Sequence, residues 1–228
     1  MSRSGSELSD ADTNCTEPEG ICVGEPLLLW DWDDTLFCTS HLAKLRVSVT
    51  EEKLAISEDL RSELSQYAQT VEETLRVARR LGRVVIVTNA ESGWVELTCS
   101  RFMPDLYQNV VQYLPIISAR SCYETANIRS PVDWKRLAVT KLIKELENVH
   151  VVSFGDSSHE REALMQTSQQ MNLLSACRIK SLKLIERPDL AALNKQHLLI
   201  QQCLIQIIDH PLSLDLCIQS IPTSDSRN

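Results

Sequence analysis

Short apolar runs alternating with longer stretches of helical periodicity constrain this chain more than any other feature. Leu27-Leu28-Leu29-Trp30, Val84-Val85-Ile86-Val87, Leu114-Pro115-Ile116-Ile117 and the stretch from Val149 to Phe154 are compact and rich in branched or aromatic residues. Runs of this length fit strands buried on both faces, as in parallel sheets. A fifth run, Cys177 to Ile185, alternates apolar with polar residues and reads as an edge strand. Between them, residues 58–81 place Leu60, Leu64, Tyr67, Val71, Leu75 and Ala78 at three- and four-residue steps, and Gly82 supplies a stop. Ser92–Tyr113, Val132–Leu146 and Asp189–Ile208 also read as helices, the last beginning just after Pro188. Such alternation predicts an α/β protein with a doubly wound, mainly parallel sheet in three layers, α/β/α.

The 228 residues suit one such domain, assigned to 26–220. Residues 1–25 are rich in Ser, Asp, Glu, Thr and Gly, too polar to offset their ordering entropy, and are expected to form a disordered tail. Residues 221–228 are expected to be a flexible C-terminus. A net charge of −8 argues against general nucleic-acid binding, which needs a basic surface. No apolar run approaches the length that spans a bilayer, and the polar opening residues are not expected to act as a signal peptide. The eight cysteines are scattered without a CxxC pair, so neither a zinc site nor a redox motif is suggested. A cytoplasmic, or alternatively nuclear, protein with reduced thiols is expected.

Chemistry concentrates where strands end. The first run leads straight into Asp31-Trp32-Asp33-Asp34-Thr35. Open α/β sheets bind ligands at the carboxyl ends of their strands, and several carboxylates crowded there call for a cation or a proton. An acidic surface turn, with Asp34-Thr35 capping the next element, accounts for one of these residues but not for the cluster. The second run ends in Thr88-Asn89, a hydroxyl and an amide suited to phosphate oxygens; taken alone, the pair reads more readily as a helix cap. Trp134-Lys135 opens a helix, where a lysine is ordinarily a solvated charge. The fourth run ends in Gly155-Asp156, with Glu160 a turn later, a pattern suited to a hard cation.

In this order the four pieces resemble the haloacid dehalogenase (HAD) superfamily of hydrolases, over roughly Leu27 to Glu186. Asp31-Trp32-Asp33-Asp34-Thr35 matches the DxDx(T/V) first motif, Thr88 the hydroxyl after the second strand, and Lys135 the third-motif lysine, with Lys141 a less well spaced candidate. Gly155-Asp156 with Glu160 resembles the GDxxxD fourth motif, with Glu in place of the second Asp. The resemblance implies a HAD-like Rossmannoid fold and a phosphatase. Asp31 would be the nucleophile that becomes a phosphoaspartate, and Asp33 the general acid and base. Thr88 and Lys135 would bind the transferring phosphoryl group. Asp31, the Asp33 backbone carbonyl and Asp156 would hold Mg²⁺. An acid at Asp33 favours phosphatases over similar dehalogenases and ion pumps, which lack one there.

Residues 37–83 and 90–134 leave no room for a large cap domain, so the site is expected to be capless or minimally capped. By analogy with similar capless enzymes, its phosphorylated substrate would be bulky, such as a phosphoprotein or another macromolecule. Trp32, Trp94, Tyr123 and Trp134 are candidates to line the entrance, although packing against the core is the default role for each of them. Cys38 lacks a base to make it a nucleophile. Two other functions use the same sequence: a noncatalytic binding or regulatory protein that keeps the fold, and a phosphotransferase that passes the phosphoryl group to an acceptor other than water. Oligomeric state is open; Leu198, Leu199, Cys203 and Ile207 fit either packing on the sheet or a dimer face.

Overall fold

The computed structural model describes residues 24–49, 56–146, 150–173 and 178–219. The expected tails thus fall almost wholly outside the described residues, as do Val149 and Cys177. Six strands form one sheet: β1 (Leu27–Trp30), β2 (Arg83–Thr88), β3 (Ile116–Ser118), β4 (His150–Gly155), β5 (Arg178–Lys183) and β6 (Leu214–Cys217). Their order is β3-β2-β1-β4-β5-β6, and every pairing is parallel. The helices are α1 (Thr39–Lys44), α2 (Glu58–Leu81), α3 (Trp94–Phe102), α4 (Pro104–Asn109), α5 (Ala119–Tyr123), α6 (Pro131–Lys144), α7 (Ser158–Gln170) and α8 (Leu190–Asp209).

Strand alternation divides the core into two layers. Leu28, Trp30, Val84, Ile86, Val152 and Phe154 pack under α2, α3, α4 and α8. Leu27, Leu29, Val85, Val87 and Val151 pack on the other face, under α6 and α7. Successive residues on a strand point to opposite faces, so an uninterrupted apolar run feeds both layers. Trp30 and Phe154 are register partners and stack with centroids 4.0 Å apart. In this order the winding reverses between β1 and β4, which opens a crevice at their carboxyl ends.

Several local expectations change. The single helix over Ser92–Tyr113 is broken at Met103, because Pro104 has no N–H to donate and sits instead at the start of α4; a 3-10 turn, Val111–Tyr113, follows. The third strand lies at Ile116–Ser118, and Pro115 contributes only its carbonyl, which accepts from Ile86 N at 2.9 Å. The fifth run is not an edge: β6 pairs along β5, and Lys180 within it is fully buried, with its ammonium donating to the Ile208 carbonyl. Gly82 does end α2, but in extended conformation, φ 175°. Its glycine is required by space, since a Cβ there would meet the Pro26 carbonyl oxygen at 2.3 Å, beside the Arg83 N to Pro26 O bond that leads into the β1–β2 pairing.

Asp189 caps α8, its carboxylate accepting from Ala192 N at 2.7 Å. Of the apolar α8 residues named above, Ile207 is buried and Cys203 half-buried against the core, while Leu198 and Leu199 face outward. Among the described residues, 37–83 and 90–134 hold only the elements named here, with no second sheet. No helix of the described residues is long and apolar enough to cross a membrane.

Candidate active site

β1 delivers Asp31 into the crevice, where its backbone N–H donates to Phe154 O at 2.9 Å. The chain then coils tightly: the Trp32 carbonyl accepts from Thr35, Leu36 and Phe37, and Asp34 adopts a left-handed φ of 54°. Three buried side chains hold this loop from below. Tyr67 donates its hydroxyl to Leu36 O at 3.1 Å, His197 Nε2 lies 2.8 Å from Thr35 O, and the Trp32 indole donates to Thr98 Oγ1 at 2.9 Å. The second and third aspartates are both engaged. Asp33 Oδ1 accepts from Thr39 Oγ1 at 2.5 Å and from Trp94 Nε1 at 3.0 Å. Asp34 accepts from the backbone N–H and the hydroxyl of Ser40 in the first turn of α1, at 2.8 and 2.5 Å. Asp34 therefore does cap a following element, and it does so from within the cluster.

Lys135 comes from the early turns of α6 and is buried, unlike the solvated charge such a position suggests. Its ammonium donates to Asp31 Oδ1 at 2.7 Å and to Glu160 Oε1. Glu160 closes a capping box at the start of α7, accepting through Oε2 from Ser157 N at 3.2 Å and Ser157 Oγ at 2.7 Å. Gly155 leaves room for that carboxylate, because a Cβ there would stand 2.2 Å from Glu160 Cγ. Thr88, at the end of β2, is buried, and its Oγ1 accepts from Ala90 N at 3.0 Å. That bond makes a turn rather than a helix cap, since α3 starts only at Trp94.

Asp31, Asp33, Thr88, Lys135 and Asp156, the five site residues expected from sequence, thus line one open cleft of about 340 Å³, together with Asp34, Asn89, Ser157, His159 and Glu160. Carboxylate oxygens of Asp31, Asp156 and Glu160 lie within 4.8 Å of one another. Burial is the main force on each of these charges. It pushes Asp31 well above the usual carboxylate range despite the Lys135 ammonium beside it. It likewise raises Asp156 to about 7, reinforced by the negative Glu160 and Asp34. Burial also raises Asp33, against the donors Thr39 and Trp94. For Glu160 the burial penalty is outweighed by Lys135, which holds it below its ordinary value. Lys135 is in turn held above the usual lysine range, since Asp31 and Glu160 outweigh its own burial.

One ammonium thus serves a pocket with more carboxylates than it can neutralise, all of them oxygen donors. That is an environment fitted to a hard divalent cation. Elsewhere, Cys38 is buried and its thiol is pushed up to about 12, leaving it unreactive. Trp32 and Trp134 pack in the core; the Trp134 indole donates to Ile128 O at 2.8 Å. Trp94, a candidate for the entrance, is half-buried and turns its N–H to Asp33, a contact with no local signal in the chain. The Glu160 cap, by contrast, is written as Ser157-x-x-Glu160.

No family model matches this chain, and no curated protein does. Two solved structures are similar in outline. One, from Burkholderia xenovorans LB400, is assigned as a haloacid dehalogenase-like hydrolase; it is 14% identical over 84% of this chain and 92% of its own, with a TM-score of 0.40. The other is a HAD family hydrolase from Deinococcus radiodurans R1 with bound phosphate and sodium, 14% identical over 84% of this chain and 90% of its own, TM-score 0.36. At such TM-scores the likeness carries no argument. The six-stranded parallel sheet and the convergence of the four motifs carry the resemblance.

Proposed function

We propose that this chain is a phosphatase that hydrolyses phosphate monoesters by way of a phosphoaspartate on Asp31. The observation that carries the reading is the meeting of Asp31, Asp33, Thr88, Lys135 and Asp156, from β1, β2, β4 and α6, in one cleft at the switch point of the sheet. A structural ion-pair network would account for Lys135 with Asp31 and Glu160, but not for Asp33, Asp156 and Thr88 facing the same space.

In this reading Asp31 attacks phosphorus and the ester oxygen leaves with a proton from Asp33. Asp33, now ionised, takes a proton from the water that attacks the phosphoaspartate, which frees phosphate and restores Asp31. Lys135 and Thr88 hold the phosphoryl oxygens, and Lys135 also steadies the Asp31 charge. Mg²⁺ held by Asp31, the Asp33 carbonyl and Asp156 would supply charge neutralisation when bound. The rest is positioning by side chains already fixed by the fold. With no second sheet over the cleft among the described residues, the reading extends to bulky, macromolecular phosphate esters.

An aryl phosphate assayed with Mg²⁺, with EDTA, and with Asp31→Asn tests this. Turnover is expected only for the wild type with the metal. Equal turnover by Asp31→Asn would end the nucleophile assignment, and none under any condition, with no Mg²⁺ binding, would favour a noncatalytic role for the fold.

A further inference from the structure

We infer that Trp94 is a positioning residue that, with Thr39, turns the Asp33 carboxylate so that one chosen oxygen faces the leaving group; this rests on the phosphatase reading above. Both donors, the Trp94 indole at 3.0 Å and the Thr39 hydroxyl at 2.5 Å, fall on Oδ1. Oδ2 takes no hydrogen bond among the described residues, and Asp33 lines the cleft. A carboxyl group whose Oδ1 already accepts two donors carries its proton on Oδ2. As the Asp31–phosphorus bond forms and the ester P–O bond breaks, that proton passes from Oδ2 to the departing oxygen. Asp33 is left ionised and still held through Oδ1.

Trp94 does this as part of a closed ring. The Trp32 indole donates to Thr98 Oγ1 at 2.9 Å, and that hydroxyl lies 2.7 Å from the Trp94 carbonyl, to which it donates. Trp32 and Asp33 are consecutive, while Trp94 and Thr98 are one helical turn apart, so the first turn of α3 grips two successive residues of the catalytic loop. Trp32 is fully buried and stacks on Phe37 at 5.8 Å, which fixes the far side of the ring. The side chain of Asp33 is thereby tied to a helix and not only to its own loop.

The test compares an alkyl phosphate, whose alcohol leaves only if protonated, with 4-nitrophenyl phosphate, whose phenolate leaves without a proton. Because kcat/KM reports only steps through phosphoaspartate formation, it isolates proton donation from later hydrolysis. Trp94→Phe keeps the ring and removes the N–H. The alkyl-to-aryl ratio of kcat/KM is expected to fall about tenfold. Thr39→Val should shift the ratio in the same direction, and Thr39→Ser should restore it. Equal losses on both esters, or no change in the ratio, would overturn the assignment while leaving the phosphatase reading intact. Absence of wild-type turnover on either ester would sink that reading and this inference with it. Independently of activity, the Trp94 indole N–H resonance should move in Asp33→Ala; if it stays in place, the contact does not exist.

Discussion

His197 is fully buried beneath the loop of residues 31–37, its ring between Trp30 and Tyr67, its Nε2 against Thr35 O and its Nδ1 3.2 Å from the Thr74 hydroxyl. Burial lowers its pKa to about 4, the Thr35 carbonyl only partly opposing the shift. The unfolded chain would take up a proton near the ordinary histidine value of about 6.5. Between those two values the unfolded state binds the extra proton. The stabilising effect of a neutral His197 is therefore complete above pH 6.5 and is lost as the pH falls toward 4. At pH 5 the loss from this one group comes to about 2 kcal/mol. The perturbation is His197→Gln, which can still donate to Thr35 O but does not titrate. Urea unfolding of both proteins at pH 7.5 and pH 5 gives the measurement. Other groups titrate in both proteins and cancel, including His150, lowered to about 4 by burial and Lys180. The variant's offset relative to wild type should shrink by about 2 kcal/mol at the lower pH. An offset that stays constant would mean that His197 titrates in the fold much as it does in the unfolded chain, as a ring reaching solvent would.

Two further outcomes test the charged pocket. Lys135→Met would leave Asp31 and Glu160 buried without their ammonium, a loss of about 3 kcal/mol or more. Carboxylates so stranded have folded pKa values above their unfolded ones, so the loss should be larger at pH 8 than at pH 5.5; equal losses by urea titration would place the lysine outside the carboxylate pair. Gly155→Ala sets a methyl 2.2 Å from Glu160 Cγ and 2.5 Å from its Oε2, and the buried Glu160 cannot swing aside without releasing Lys135 and Ser157. A stability loss of about 2 kcal/mol, together with a drop in turnover, should follow. Wild-type behaviour in both measurements would mean that the carboxylate does not lie over Gly155.

The sheet was legible because parallel strands buried on both faces read as plain apolar runs, and five of the six described strands lie within a few residues of a run named from the sequence. Local sequence failed where the environment is set by distant chain. β6 is four residues long and half-exposed, with Leu214 and Leu216 turned to the core and Asp215 and Cys217 outward, which is too weak a pattern to stand out. Without β6, Lys180 looked like the solvent side of an edge strand, when the end of α8 in fact supplies a carbonyl for its ammonium. The Pro104 break, by contrast, is a local rule that should have overridden the periodicity around it. That Asp31, Asp33, Thr88, Lys135 and Asp156 meet in one cleft was legible through their order along the chain. The supports beneath them, Tyr67, His197 and Trp94, were not, because nothing near them in sequence reveals a bond to a loop formed by residues 31–37.

Glu in place of Asp at position 160 shows how such support redistributes roles. A glutamate at the third position of a helix can reach back to its N-cap, and here Oε2 does so while Oε1 meets Lys135. Both oxygens are thus engaged by donors. Asp156, just ahead of that N-cap, keeps a raised pKa with Lys135 and the Arg187 backbone offsetting its burial only in part. Asp31 and Asp156 thus stay raised in spite of Lys135, while Glu160 is held low by it. Glu160 then serves to tie α6, through Lys135, to the start of α7. Because Asp31, Lys135, Glu160 and Ser157 form one unbroken chain of polar contacts, a shift of either helix reaches Asp31 through its ammonium partner. The register between α6 and α7 is, on this arrangement, a determinant of where Asp31 points.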